Sequence, residues 1–389
     1  MKTPKQPIRG IGTRLARAGR GEAGSFVNPP VVHASTILFD TVAELHDGKP
    51  VSYGRRGTPT MAALESALAE LDGIGAVKAA GAVLCPSGLS AMSTAILAFV
   101  GAGNRVLLPD SVYGPARAIA DIVLKPLDIA VAYYDPTIGA GIADLVDDGT
   151  TLVYVESPGS YTMEMQDLPA IAEVAHARDA VVIADNTWAT PLYCQPLSLG
   201  ADVVVHAATK YVSGHADVLM GYVTAHEGAW PRLKRHHGAM GVCAAPDDIY
   251  LALRGLRTLE VRLERHMRSG LAVAEWLAAR PEVSAVLHPA LPGDPGHGLW
   301  RRDMTGASGL FSIVLGGSTE EDAARFIEAL ALFGIGYSWG GYESLAVPGE
   351  FRRTASRAPD GPLVRLHVGL EDPADLIADL DAAFSEIAG

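Results

Sequence analysis

Val181-Val-Ile-Ala-Asp185-Asn-Thr and Val203-Val-Val-His206-Ala-Ala-Thr209-Lys210-Tyr are the two stretches that decide the fold. Each is a short β-branched run that gives way to polar residues, a carboxylate in the first and a lysine in the second. A run without polar alternation belongs in a strand covered on both faces, which is the habit of parallel sheets wrapped by helices. Working outward, similar runs recur at 82–84, 105–108, 130–134, 152–156 and 219–224. The intervals after the first, second and fourth of these can each hold a helix. Residues 247–277 read as one long helical region bridging two domains, with Arg254, Arg257, Arg262, Arg265 and Arg268 recurring beside apolar positions. After it come strands at 283–287, 310–315 and 364–368 and helices at 320–332 and 373–387, too few strands for a second large sheet. The expected fold class is therefore α/β: a large domain with a mostly parallel sheet wrapped by helices, followed by a smaller α+β C-terminal domain. The expected division is an N-terminal arm (1–57), the large domain (58–250) and the small domain with its linking helix (251–389).

The chain has 389 residues, 49% hydrophobic and 19% charged, so it can bury a substantial core and is neither disordered nor fibrous. Its 31 basic against 44 acidic residues leave a formal charge of -13, which disfavours nucleic acid or an anionic membrane as the main partner and favours a small-molecule substrate. Cys85, Cys194 and Cys243 have neither disulfide-framework nor metal-ligand spacing, so no metal is expected and a reducing cytoplasm fits. No charge occurs between Lys78 and Arg105, but Gly81, Pro86, Ser87 and Gly88 interrupt that run, so it reads as strand, turn and helix rather than as a membrane span. Lys2, Lys5, Arg9, Arg14, Arg17 and Arg20, without an acidic residue among them, read as a basic exposed arm; a transit peptide is the alternative.

In a wrapped sheet, ligands sit outside the carboxyl ends of the strands, so polar residues following the apolar runs carry the chemistry. Cys85-Pro-Ser-Gly88-Leu89-Ser offers small residues and free helix-start N–H groups suited to an anion, or simply a helix cap. Asp185 after four apolar residues requires a cationic partner, unless it caps the next helix. Lys210 at a strand end is either a desolvated nucleophile or a snorkelling surface lysine. His206 reads as a hydrogen-bonded core histidine. Together, an anion cradle, a buried carboxylate and a buried amine are what pyridoxal 5'-phosphate requires: a phosphate site, a partner for its pyridine nitrogen, and a lysine for its aldehyde.

Tyr53-Gly-Arg-Arg-Gly-Thr, Glu156-Ser-Pro-Gly-Ser, Asp185-Asn-Thr-Trp-Ala, Ala208-Thr-Lys-Tyr and Tyr337-Ser-Trp-Gly-Gly-Tyr-Glu-Ser-Leu closely resemble the Cys/Met-metabolism family of PLP enzymes, and the resemblance runs from Arg14 to the helix after Arg365-Leu-His-Val-Gly-Leu-Glu. It implies the PLP-dependent transferase fold of type I. It further implies that Lys210 links to the cofactor and Asp185 partners its pyridine nitrogen, with Tyr113 stacking on the ring and able to move protons. Gly88, Leu89 and Thr209 would contact the phosphate. Tyr53 and Arg55 would reach the neighbouring subunit's cofactor, with Tyr53 also near substrate, so a homotetramer built as a dimer of dimers is implied. Arg365 would grip the substrate α-carboxylate, and Tyr337, Ser338 and Trp339 would line the same pocket. Ala207 stands where many relatives have serine and Ser160 where many have asparagine.

Many γ-acting relatives carry a glutamate followed by Ser-Leu-Gly-Gly where this chain has Tyr337 with Trp339. An aromatic pocket in place of a charged one implies the β-eliminating branch, which splits L-cystathionine into L-homocysteine, pyruvate and ammonia. Lys210 would be the base at Cα, with Tyr113 as the alternative. Competing expectations are a broad cysteine-S-conjugate β-elimination or cysteine desulfhydration, a γ-acting enzyme, and a binding module that keeps the fold without catalysis.

Overall fold

The computed structural model describes residues 10–22, 25–47 and 51–387. Seven strands form the larger sheet: β1 (Gly81–Cys85), β2 (Arg105–Pro109), β3 (Ala130–Tyr134), β4 (Thr150–Glu156), β5 (Val181–Asp185), β6 (Val203–His206) and β7 (Gly221–Ala225). Their spatial order is β1-β7-β6-β5-β4-β2-β3. Each apolar run of the sequence reading is one of these strands. Pairing is parallel except at β7, which runs antiparallel to both β1 and β6. The sheet is thus mixed, and β1 still points the same way as β6.

The unbroken apolar character of the strands follows from cores on both faces. Val83, Cys85, Val203 and Val205 pack with Ala91, Ala95 and Ile96 of the helix Gly88–Phe99. Leu84 meets Leu64, Leu68 and Leu71 of the helix Pro59–Asp72, while Val204 meets Ile171 and Ala175 of the helix Leu168–His176. Caps place these helices: Thr58 Oγ1 accepts from Met61 N at 3.2 Å ahead of Pro59, and Ser87 Oγ accepts from Ser90 N at 3.1 Å.

Residues 247–277 form two helices rather than the single one expected: Pro246–Leu256 and Leu259–Ala278. Arg262 stands at the break, buried without a carboxylate and taking backbone carbonyls instead. Its guanidinium donates to Gly255 O and Tyr211 O, both at 2.7 Å, and Thr258 N also bonds Gly255 O at 3.0 Å. The Gly255 carbonyl is thereby diverted from a continuous helical ladder.

The C-terminal region holds more sheet than the sequence suggests. Five strands, β8 (Val283–Leu287), β9 (Leu310–Leu315), β10 (Gly334–Ile335), β11 (Leu345–Pro348) and β12 (Leu363–His367), pair in the order β10-β11-β12-β9-β8. Two of them are too short to carry a periodic signal. Their core draws on Val273 and Leu277 of the helix Leu259–Ala278, Phe326 of Glu320–Ala329 and Phe384 of Pro373–Ser385.

The N-terminal segment is not simply an exposed arm. From residue 11 it forms the helix Ile11–Ala16, which buries Leu15 in the core, and Arg14 pairs with Glu70 at 2.6 Å. Lys2, Lys5 and Arg9 lie outside the described residues. Among the described residues no helix is long and apolar enough to cross a membrane.

Buried Asp72 ties the helix Pro59–Asp72 to the sheet: it accepts from Thr224 Oγ1 at 2.9 Å and lies 3.1 Å from His206 Nε2. His206 is a core histidine, stacked on Tyr222 with ring centroids 4.4 Å apart. Asp72→Ala would orphan two buried partners, and the expected loss of unfolding free energy in urea is about 3 kcal/mol. A loss under about 1 kcal/mol would show that these groups are resolvated or re-paired.

Candidate active site

The carboxyl ends of β1, β2, β4, β5 and β6 lie along one edge of the large sheet, and residues from β12 and the loop between β10 and β11 close over that edge. Between them is a cavity of about 690 Å³. Gly88, Leu89, Tyr113, Asp185, Thr209, Lys210, Tyr337, Ser338, Trp339 and Arg365 all line it.

Lys210 lies in the turn that follows β6. Its Nζ donates to Ser338 Oγ at 2.7 Å and sits 5.1 Å from the centre of the Trp339 ring. Burial pulls the amine down to about 7, the nearby Arg365 charge pushes the same way, and Asp185 opposes them. This environment is that of a desolvated nucleophile rather than a surface lysine. The loop opposite requires glycine: Gly340 has φ +87°, and a Cβ there would lie 2.7 Å from Tyr211 N and 2.8 Å from the Lys210 carbonyl carbon. Ser338, two residues earlier, holds φ +86° without being glycine, a strained conformation that places its hydroxyl on the amine.

Asp185 accepts from Thr187 N at 2.9 Å and from the Tyr154 hydroxyl at 3.2 Å. Neither donor is a cation, so the expected positive partner is not supplied by these bonds. The helix-cap alternative fails, because the next helix, Thr190–Tyr193, is preceded by Ala189. Asp185 is also the register partner of Glu156 across β4 and β5. Burial, then the Asp185 charge, push the Glu156 carboxyl well above the usual carboxylate range, and its Oε2 accepts from Tyr113 N at 2.9 Å. Sequence reading assigned Glu156 no role, although its strand ends in a carboxylate as that of Asp185 does.

At the start of the helix Gly88–Phe99, Ser87 engages Ser90 N and Ala91 N, which leaves the amides of Gly88 and Leu89 as the unsatisfied donors of the first turn. A Cβ on Gly88 would lie 2.6 Å from the Ala207 Cβ, so this helix start presses directly on the turn leading to Lys210. The Thr209 hydroxyl is already engaged, accepting from Met220 N at 2.9 Å and donating to Met220 O at 3.1 Å. Tyr113 is half exposed, and burial followed by the Glu156 charge raises its phenol above the ordinary value, so it keeps its proton at neutral pH.

Arg365, on β12, is buried with its guanidinium 4.9 Å from the centre of the Tyr161 ring. Trp339 divides its contacts between the cavity and Tyr211, 5.4 Å away between centroids. The Tyr337 hydroxyl donates to Glu350 Oε2 at 3.3 Å. The aromatic wall expected here therefore includes a carboxylate, brought from a loop that no motif marks. Tyr53 and Arg55 do not line the cavity: Tyr53 is half exposed and Arg55 donates to Gly238 O at 3.0 Å.

These residues fit pyridoxal 5'-phosphate. The group needs an anion site for its phosphate, a reactive amine for its aldehyde and a carboxylate for its ring nitrogen. The unsatisfied amides, the Lys210 amine drawn down to about 7 and Asp185, whose hydrogen-bond donors are both neutral, meet those needs around one cavity. In the cofactor-free protein, labelling of Lys210 by an amine-directed reagent, followed by peptide mass spectrometry, should rise with a midpoint near pH 7. A midpoint near the free-lysine value of about 10 would contradict the desolvated environment.

Comparison with known proteins agrees. Residues 12–385 match the family described as Cys/Met metabolism PLP-dependent enzyme, and the chain belongs to that family. It is 51% identical to a putative cystathionine beta-lyase of Rhizobium johnstonii, over 97% of this chain and 96% of that one. It is 42% identical to the cystathionine beta-lyase MetC of Escherichia coli, over 97% and 98% of the two chains. Among solved structures, cystathionine gamma synthase from Xanthomonas oryzae pv. oryzae superposes with a TM-score of 0.88 at 31% identity, covering 98% of this chain and 99% of that one.

Proposed function

Because this chain is a Cys/Met metabolism PLP-dependent enzyme, we propose that it is a carbon–sulfur lyase that eliminates the β-substituent of L-cystathionine. With water the products are L-homocysteine, pyruvate and ammonia, a step of transsulfuration toward methionine. The similarity to cystathionine beta-lyases over nearly the whole chain supports this reading. The observation that carries it is the Lys210 amine held at Ser338 Oγ in the cavity that Arg365 also lines.

Lys210, Asp185, Tyr113 and the amides of Gly88 and Leu89 would hold the cofactor, with Thr209 shaping the wall beside the phosphate. When bound, the cofactor supplies a sink for the electron pair left when Cα loses its proton. Arg365 holds the substrate α-carboxylate through its planar fork. Lys210, whose amine burial pulls down to about 7 so that a large fraction is unprotonated at neutral pH, takes the Cα proton. The Cβ–S bond then breaks with its electron pair leaving on sulfur. Tyr113, which keeps its phenolic proton, is better suited to protonate that sulfur than to act as the base at Cα. Glu156 acts by positioning Tyr113 through its backbone amide. Ser338 and Trp339 hold the Lys210 amine in line, and Tyr337 closes the substrate side.

The assembly in this reading is a homotetramer, a dimer of dimers, in which Tyr53 and Arg55 of one protomer complete the phosphate site of its neighbour. Their placement outside their own cavity supports that arrangement. Each protomer divides into the arm (1–57), the cofactor-binding domain (58–250) and the small domain with its linking helix (251–389), and it works in the cytoplasm.

A γ-acting reading draws on Glu350, which places a carboxylate beside Tyr337. Product analysis separates the two. Incubation of the PLP-loaded protein with L-cystathionine should yield pyruvate and L-homocysteine. Formation of 2-oxobutyrate and L-cysteine would keep the cofactor site and overturn the branch.

A further inference from the structure

β12 carries two polar side chains on one face. Val364 and Leu366 pack into the core of the C-terminal region, and Arg365 and His367, alternating with them along the strand, take the opposite face. Arg365 lines the active-site cavity, whereas His367, only 1% exposed, does not. Burying an imidazole takes water from both ring nitrogens, so a histidine here needs a reason.

The reason lies in the loop that rests against Lys210. Gly340 N donates to His367 Nε2 at 3.0 Å, and Gly341 O lies 3.2 Å from the same nitrogen. The two contacts require opposite tautomers. An amide can only donate, so the shorter contact makes Nε2 the acceptor and assigns the ring proton to Nδ1. Burial, and after it the neighbouring His266, hold the group well below the ordinary histidine value, and Arg365 and Lys210 push the same way against the Gly341 carbonyl. The accepting lone pair is therefore present at neutral pH. Nδ1 has no partner, so an apolar side chain would fill this space at less cost; what it would lack is the acceptor for Gly340.

That bond fixes the residues on which the lysine depends. Ser338, two positions before Gly340, accepts from Lys210 Nζ at 2.7 Å, and the centre of the Trp339 ring lies 5.1 Å from Nζ. Arg365 adds a weaker tie from the same face of β12, donating to Ser338 O at 3.4 Å. The His367 ring is itself held between Tyr211, 6.0 Å away between centroids, and His266, 5.3 Å away, and His266 Nδ1 is fixed on Val368 O at 2.9 Å. We propose that His367 is a positioning residue for the catalytic lysine: by accepting the Gly340 amide it holds Ser338 and Trp339 at the Lys210 amine and keeps that amine buried. The inference rests on the reading of Lys210 as the reactive amine, and His367 acts on it only through the loop.

The test compares two variants of the full-length chain. His367→Leu keeps an apolar filling of the site and removes the acceptor, whereas in His367→Gln a carbonyl oxygen stands about as far along the side chain as Nε2 and can accept. Without cofactor, the midpoint of Lys210 labelling, near pH 7 in the wild type, should rise by about one unit or more in His367→Leu as water reaches the amine, and stay within about 0.3 in His367→Gln. Hydrogen exchange, read on overlapping peptides that isolate Gly340, should be slow in the wild type and in His367→Gln and about tenfold faster in His367→Leu. If His367→Leu matches the wild type, or if both variants shift alike, the acceptor does not position the lysine and the proposal is overturned. Fast exchange at Gly340 in the wild type overturns it without any variant. A wild-type labelling midpoint near 10 refutes the desolvated Lys210 on which the proposal stands, whereas a midpoint near 7 with no contrast between the variants refutes the role of His367 alone.

Discussion

Removing the Lys210 amine from water is the constraint around which the catalytic edge is built. An ammonium at that depth is disfavoured, and Arg365, with the same sign of charge, lies in the same cavity, so the amine settles near neutrality at physiological pH. The burial behind that shift depends in part on the Trp339-Gly-Gly loop lying against the Lys210 backbone. Gly340 permits that approach because no other residue tolerates both its φ and the proximity of Tyr211 N. A larger residue at position 340 would separate the loop from the lysine and withdraw the Ser338 hydroxyl from Nζ.

Because Tyr337, Ser338, Trp339 and Arg365 come from the C-terminal region, the chemistry of the site also depends on how that region is fastened. Asp110, after β2, accepts from the backbone amides of Thr354, Ala355 and Ser356 and from the hydroxyls of Thr354 and Ser356. Trp188 Nε1 donates to Leu310 O at 2.9 Å, and Gly309 N donates to the Tyr211 hydroxyl at 3.0 Å. Arg262 gathers the carbonyls of Tyr211 and Gly255, joining the turn that carries Lys210 to the long helices. Buried polar links of this kind require defined geometry, so they fix where Ser338 and Arg365 stand relative to the lysine.

The parts of this arrangement that were legible in the sequence are those carried by strong local pattern. Residues 181–184 and 203–205 are apolar throughout, so their strand character and two-sided burial follow directly. Lys210 and Asp185 stand out because charges at the ends of such strands demand a reason. Glu156 obeys the same rule, yet its significance arises from lying in register with Asp185, which a linear reading does not display. The break between the helices at 257–258 was hidden because an arginine buried among carbonyls looks, in sequence, like one more residue on a polar helix face. β10 and β11 lack the length to be periodic, and Glu350 reaches the site by way of a loop. Tertiary proximity decides each of these, and nothing local signals it.

The central claim, that Lys210 is the amine at which the cofactor is held, is most directly tested by borohydride reduction of the PLP-loaded protein followed by peptide mapping. The account predicts one pyridoxyl group per chain, on the peptide that contains Lys210. Modification of another lysine with Lys210 left unmodified would contradict it.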